Sequence, residues 1–212
     1  MMGLSSARRV QPMTDVRRAY GLAAEQYIEL FDDSAAVHAD DLELIARHLS
    51  IRPGAVVDAG CGPGHLTAYL RSLDVDVQGI DLVPEFIEHA RAAHPDGQYE
   101  LGSMFRLPFP ARSLAGILAW YSLIHVPPAD LDSVLAEFRR AMAPAGTLVI
   151  GFFEGDENVA FEHKVVTAYY WPVEEFSARL ARAGFVEVDR QQRPGIDDSG
   201  SRPHAALVAI AD

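Results

Sequence analysis

Cysteine is nearly missing from this 212-residue chain: Cys61 stands alone, so no intrachain disulfide can form and nothing points to an oxidising compartment. Basic residues are also in short supply. Lys and Arg number 18 against 30 Asp and Glu, and the formal charge of −12 repels phosphate backbones and anionic membrane surfaces alike. Nucleic acid is therefore disfavoured as a partner. No apolar run reaches the length of a signal peptide or a membrane span. The eight histidines include no H-E-x-x-H pair, and one cysteine cannot build a thiolate cage, so a metal site finds no support. These absences predict a protein of a reducing cytoplasm that does not cross a membrane.

What is present is ordinary for a folded domain: 49% hydrophobic and 23% charged residues. The length predicts one domain over residues 13–212, behind a disordered tail at 1–12 that offers little to bury. From Thr14, the spacing of Tyr20, Ala23, Ala24, Tyr27 and Phe31 predicts an N-terminal helix, and a second follows over Asp40–Leu49. Strand and helix then alternate. Strands are predicted at 55–59, 75–80, 98–101, 114–121 and 147–153. Helices fall between them, two opened by Pro84 and by Pro127-Pro128. An irregular stretch runs from Glu154 to Pro172, a further helix ends at Gly184, and two strand-like runs at 185–191 and 205–209 suit an antiparallel hairpin. The alternation predicts an α/β fold with a mostly parallel sheet.

The first strand ends in Asp58-Ala59-Gly60-Cys61-Gly62-Pro63-Gly64, a turn with little side chain at the carboxyl edge of the sheet and beside a helix N-terminus. A ligand can come close to such backbone. Asp81, about 20 residues on at the end of the next strand, offers a carboxylate that can accept both hydroxyls of a ribose. Turn and acid together imply a ligand containing a nucleoside. Asp81 also serves as a helix cap before Pro84, and the two roles can coexist. The glycines fall at 60, 62 and 64, whereas the dinucleotide fingerprint wants the third one residue later, where His65 stands. With Lys164 the sole lysine, no Tyr-x-x-x-Lys pair occurs either. An NAD(P)-dependent oxidoreductase is thus the weaker alternative, beside a binding protein without catalysis.

The segments VVDAGCGPGHLT (56–67), GID (79–81), LGSMF (101–105) and LAWYSLIHVPP (118–128) resemble, in order and position, the motifs of class I, Rossmann-like S-adenosylmethionine-dependent methyltransferases. The resemblance implies a three-layer sandwich whose mostly parallel seven-stranded sheet has an antiparallel last strand under an N-terminal helical cap. It implies S-adenosylmethionine as cofactor and S-adenosylhomocysteine as product. Carried over by position, Gly60 and Gly62 would lie against the methionine part, Asp58 would support the loop and Asp81 would hold the ribose. Leu82 would pack on the adenine, and Ser103 and Met104 would border its polar edge. Many relatives have Asp where Ser103 stands. Tyr20 and Tyr27 resemble aromatic positions that cap the cofactor, although aromatic residues at helical spacing equally mean packing.

Methyl transfer from a sulfonium needs chiefly alignment and exclusion of water. If the acceptor must lose a proton, His125 is the candidate base; its alternative is to order the loop or touch the cofactor. Tyr121, Tyr169 and Trp171 are candidate acceptor contacts, with Glu154, His163 and Tyr170 nearby, or else they pack the irregular segment itself. The identity of the acceptor has no signature in the chain.

Overall fold

The computed structural model of the chain describes residues 5–31, 33, 34, 37–51, 53–195 and 202–212. In chain order the elements are α1 Ser5–Leu22, α2 Ala24–Phe31, α3 Ala39–Leu49, β1 Val56–Ala59, α4 His65–Ser72, β2 Val77–Asp81, α5 Pro84–Ala93, β3 Gln98–Leu101 and β4 Leu114–Trp120. A 3₁₀ turn at Leu123–His125 leads to α6 Pro128–Ala141 and β5 Met142–Phe153. Two short strands, β6 Ala160–Phe161 and β7 Ala168–Tyr169, precede α7 Val173–Arg182, β8 Phe185–Arg193 and β9 His204–Ala211. The sheet order is β3-β2-β1-β4-β5-β9-β8. Pairing is parallel from β3 to β5, and β9 runs antiparallel to both its neighbours. This is the three-layer α/β sandwich expected.

The central strands read as continuous apolar runs because both faces of the sheet are covered, and alternate residues divide between the layers. Val57, Ile117, Leu148, Ile150 and Phe152 join a core with Phe138 of α6 and Phe176 of α7. Val56, Leu118, Val149 and Val208 turn the other way, onto Ile45 and Leu49 of α3 and Leu70 of α4. Full burial of a side chain such as Phe138 contributes roughly 1.5–3 kcal/mol, so the sheet edge that carries the site rests on a stiff base.

Two details depart from the sequence reading. The single N-terminal helix is two, broken at Ala23, whose N–H is shared between the carbonyls of Ala19 and Tyr20. Gly21 lies where a Cβ would come within 3.2 Å of the Glu85 carboxylate, so α1 presses closely on α5 there. The strand expected at 147–153 begins at Met142. Its register with β4 jumps between Leu114 and Gly116, and residues 143–146 loop out with Ala145 at φ 58°. The tail expectation falls partly on residues 1–4, outside the described residues, as does much of the hairpin connection, residues 196–201. Among the described residues no helix is long and apolar enough to cross a membrane.

Candidate functional site

Each parallel strand ends at the same edge of the sheet, and the glycine turn sits there between β1 and α4. Gly60, Gly62 and Gly64 have φ of 86°, 53° and 95°, all in the left-handed region that side chains avoid. Gly60 has a second reason to be bare. A Cβ there would lie 2.3 Å from that of Ser122, whose hydroxyl donates to the Ala59 carbonyl at 2.6 Å. Gly62, by contrast, faces open space bounded at 3.8 Å by Tyr27, which leaves a cradle above bare backbone. Asp58 braces the turn from below. It is buried and accepts the Thr67 hydroxyl at 2.7 Å, and burial pushes its carboxyl up to about 7.

Of the two roles expected of Asp81, the structure shows the one at the start of α5. One carboxylate oxygen accepts the N–H of Gly62 at 2.9 Å and the other that of Val83 at 2.9 Å, capping α5 and tying it to the glycine turn. A carboxylate has about four acceptor sites, so capacity remains for a diol. Burial holds its pKa above the ordinary value against those donors. Asp81, Leu82, Met104, Tyr20 and Tyr27 line a small cavity of about 80 Å³ with Gly60 and Gly62. Gly102 also lines it. Ser103 does not, because its hydroxyl turns to accept the Phe105 N–H at 3.3 Å.

Beside this cavity lies a larger cleft of about 610 Å³, and the two share Tyr20, Tyr27, Gly60, Gly62, Trp120 and Tyr121. Tyr20 meets Tyr27 edge to face, with ring centres 5.3 Å apart, and its hydroxyl lies 2.7 Å from His125 Nε2. His125 Nδ1 lies 2.9 Å from the Thr167 carbonyl, which can only accept. The proton is therefore on Nδ1, and Tyr20 donates to Nε2. With both nitrogens engaged and 7% exposure, His125 is held neutral, its pKa lowered by burial. Thr167 belongs to the irregular stretch, whose Val165 and Val166 also pack on the α1–α2–α5 cluster, so that stretch closes over the site.

Tyr121 stands at the wall between the cavities with φ 52°, a conformation that costs a non-glycine residue about 1–3 kcal/mol and is found where function demands it. Its hydroxyl pairs with His204 Nδ1. Beyond it, His204 Nε2 lies 3.5 Å from Asp41, which the Arg193 guanidinium clasps in a fork with one arm at 2.7 Å. Burial lowers His204 to about 4. Asp41, Arg193 and His204 were not anticipated from sequence. They lie 41 to 204 residues along, in three elements, and no local pattern joins them. Arg202, also on the cleft, was missed for the same reason.

The other two aromatic candidates are placed elsewhere. Trp171 is 0% exposed, its ring against Phe176 and beneath Arg179 in the core, so it supports α7 and reaches neither cavity. Tyr169 packs on the same core from β7 and borders neither cavity. An aromatic residue after an irregular loop looks the same in sequence whether it faces a ligand or the protein. Cys61 is buried, and burial raises its thiol well above the usual range, which makes it a filler rather than a nucleophile.

Fold and site together give a Rossmann-like α/β protein whose glycine turn and Asp81 meet at the carboxyl edge of β1 and β2, beside a second, larger cleft. Residues 56–146, which include the glycine turn and Asp81, match the family profile described as a methyltransferase domain. Over that segment, less than half of its length, the chain is similar to methyltransferases. Malonyl-[acyl-carrier protein] O-methyltransferase of Erwinia billingiae is 30% identical over 142 residues, covering 66% of this chain and 54% of that protein. Trans-aconitate 2-methyltransferase of Methylobacterium nodulans is 32% identical over 166 residues, covering 76% and 59%. The chain spans about half the length of the curated relatives it matches. Among solved structures, 1,6-didemethyltoxoflavin-N1-methyltransferase of Burkholderia thailandensis, with 1,6-didemethyltoxoflavin and S-adenosylhomocysteine bound, superposes with a TM-score of 0.79. The two share 24% identity, with 96% of this chain and 91% of that one covered. A [4+2]-cyclase superposes at 0.75 with 18% identity, covering 92% and 95%; likeness at this level is one of fold.

Proposed function

We propose that the chain binds S-adenosylmethionine and transfers its methyl group to a small-molecule acceptor, releasing S-adenosylhomocysteine. The observation that carries this reading is the wall common to the two cavities. Tyr20, Tyr27, Gly60, Gly62, Trp120 and Tyr121 face both, so a donor held on one side meets an acceptor held on the other. The residues present fit the cofactor: Asp81 keeps lone pairs for a ribose diol, Leu82 and Met104 offer apolar contact, and the bare turn at Gly60 and Gly62 admits an amino-acid tail. When bound, the sulfonium supplies an activated methyl group for in-line displacement.

The protein's part is then to orient and to keep water out. His125 fixes the Tyr20 hydroxyl over the cavity, and a proton leaving an acceptor reaches Nε2 only by way of that hydroxyl: Tyr20 takes it as it yields its own to the imidazole. His125 is in this reading a positioning residue first. One unit from about Met13 to Asp212, working on a small molecule in a reducing cytoplasm and apart from nucleic acid, suits the buried lone thiol and the charge of −12.

Thermal unfolding with S-adenosylhomocysteine, with NAD as the control, tests the assignment. The former should raise the melting temperature, because a ligand of the native state stabilises it by mass action, and the latter should not. Asp81→Ala should remove most of that rise. A rise with NAD alone would reject the reading.

A further inference from the structure

The large cleft inverts the charge of the molecule that contains it. In a chain of net −12, its lining carries Lys164, Arg193 and Arg202 against two acids, Asp41 and Asp58. Neither acid is free to oppose an anion. Asp41 is clasped by Arg193, and Asp58 lies buried under the Thr67 hydroxyl. Arg202 differs from Arg193 in having no carboxylate partner among the described residues. Its guanidinium lies over Phe161 at 4.7 Å and Phe153 at 5.8 Å, and its Nε donates to the Tyr170 hydroxyl at 3.0 Å. Two aromatic rings and one hydrogen bond thus fix the plane of the fork, while among the described residues its outer N–H groups meet no acid.

His163 supplies a second observation. Its ring sits 5.8 Å from that of Phe153 and 5.5 Å from that of His125, and its buried Nδ1 has no hydrogen-bond partner among the described residues. Buried polar atoms are nearly always paired, so His163, which lines the cleft, keeps a ring nitrogen with bonding capacity to spare among the described residues. Trp120, Tyr121 and Phe153 add an apolar wall, the Tyr121 ring edge-on to Trp120 at 5.9 Å and tilted against Phe153 at 4.8 Å.

Resting on the methyl-transfer reading above, we propose that the acceptor is a carboxylic acid with an apolar, unsaturated or aromatic body, its carboxylate taken by Arg202 and His163 and its body held against the angled rings of Trp120, Tyr121 and Phe153. A carboxylate suits the site better than a phosphate dianion, since one guanidinium that meets no acid among the described residues and one neutral imidazole balance a single charge. The carboxylate is the handle by which the acceptor is held. Because the same cleft runs from Arg202 to Gly60 and Gly62, an acceptor so held reaches the wall where the methyl group would be presented.

The test uses the full chain saturated with S-adenosylhomocysteine. Titration calorimetry is run with benzoate, trans-cinnamate and 2-naphthoate, each beside its neutral amide, and with phenyl phosphate. At least one acid should bind about tenfold more tightly than its amide, with affinity falling as salt is raised. Arg202→Gln should erase that preference and Arg202→Lys should restore part of it, while the melting-temperature rise with S-adenosylhomocysteine shows each variant folded. Amides binding as well as acids, no acid binding at all, or phenyl phosphate binding more tightly than every acid would each overturn the proposal. The acid-to-amide comparison on the unaltered protein decides even if the variants do not fold. Failure to bind S-adenosylhomocysteine rejects the methyl-transfer reading; binding it without preferring acids rejects this inference alone.

Discussion

Two tyrosine–histidine pairs stand at the wall between the cavities, and they are backed differently. Behind Tyr20 and His125 is the neutral carbonyl of Thr167; behind Tyr121 and His204 is the Asp41 carboxylate, itself clasped by Arg193. A carbonyl fixes one tautomer and adds no charge, so the first pair orients a hydroxyl and depends on nothing further away. A carboxylate–guanidinium backing links α3, β8 and β9 through charge, and removing one member leaves the others uncompensated. Similar side chains thus serve local orientation in one place and the joining of elements in the other.

The sharpest way to break this contrast is Asp41→Ala. Arg193 and His204 would then face each other without an anion, and stability in urea should fall by about 3 kcal/mol, the low end for a broken buried pair because Arg193 is partly exposed. A loss under about 1 kcal/mol would reduce the network to an ordinary surface pair. His125→Ala should cost less, roughly 1–2 kcal/mol, since it strands one hydroxyl and one carbonyl. It should also weaken S-adenosylhomocysteine binding several-fold, as Tyr20 loses its anchor; unchanged affinity by calorimetry would show that the pair does not orient the cofactor wall.

A pH series sharpens the contrast further. The pKa values of His204 and His163 are both lowered to about 4, chiefly by burial. The unfolded chain takes up those protons from about pH 6.5 downward and the folded chain does not. Their contribution is full above about 6.5 and is lost as pH falls toward 4. Asp58, raised to about 7, works in the opposite sense: its contribution is full below about 3.8 and is lost as pH rises toward 7. Asp58→Asn should therefore make stability climb more steeply between pH 4 and 7 than in the unaltered protein, and His204→Gln should make it climb less. Equal slopes in urea melts would show that burial does not set these values. The smallest effect belongs to Tyr121→Phe, about 1 kcal/mol of stability with the S-adenosylhomocysteine shift intact.

The donor side of the site was legible in sequence because its parts are near neighbours along the chain. Gly60, Gly62 and Asp81 are fixed by the local demands of a strand-to-helix turn and of the next strand's end, and those demands leave marks on residue type. The far wall of the large cleft, beyond Tyr121 and His163, was not. Arg193 meets Asp41 across 152 residues and Tyr121 meets His204 across 83; such contacts exist only after β9 is laid between β5 and β8. Ser103 and Trp171 fail for a third reason. A hydroxyl can turn to its own backbone, and an indole can serve the core, without any change in the surrounding pattern.

The reversed direction of β9 carries a consequence for how such an enzyme can change. His204 pairs with Phe153 at the end of β5 and with Arg193 at the end of β8, so the end of β8 and the start of β9 arrive where the parallel strands finish, on the cleft that the glycine turn also lines. The wall of the large cleft that faces the glycine turn is thereby built from strand ends that grafting or insertion can exchange while β1, β2 and their turn stay untouched, so the two sides of the cleft can evolve apart.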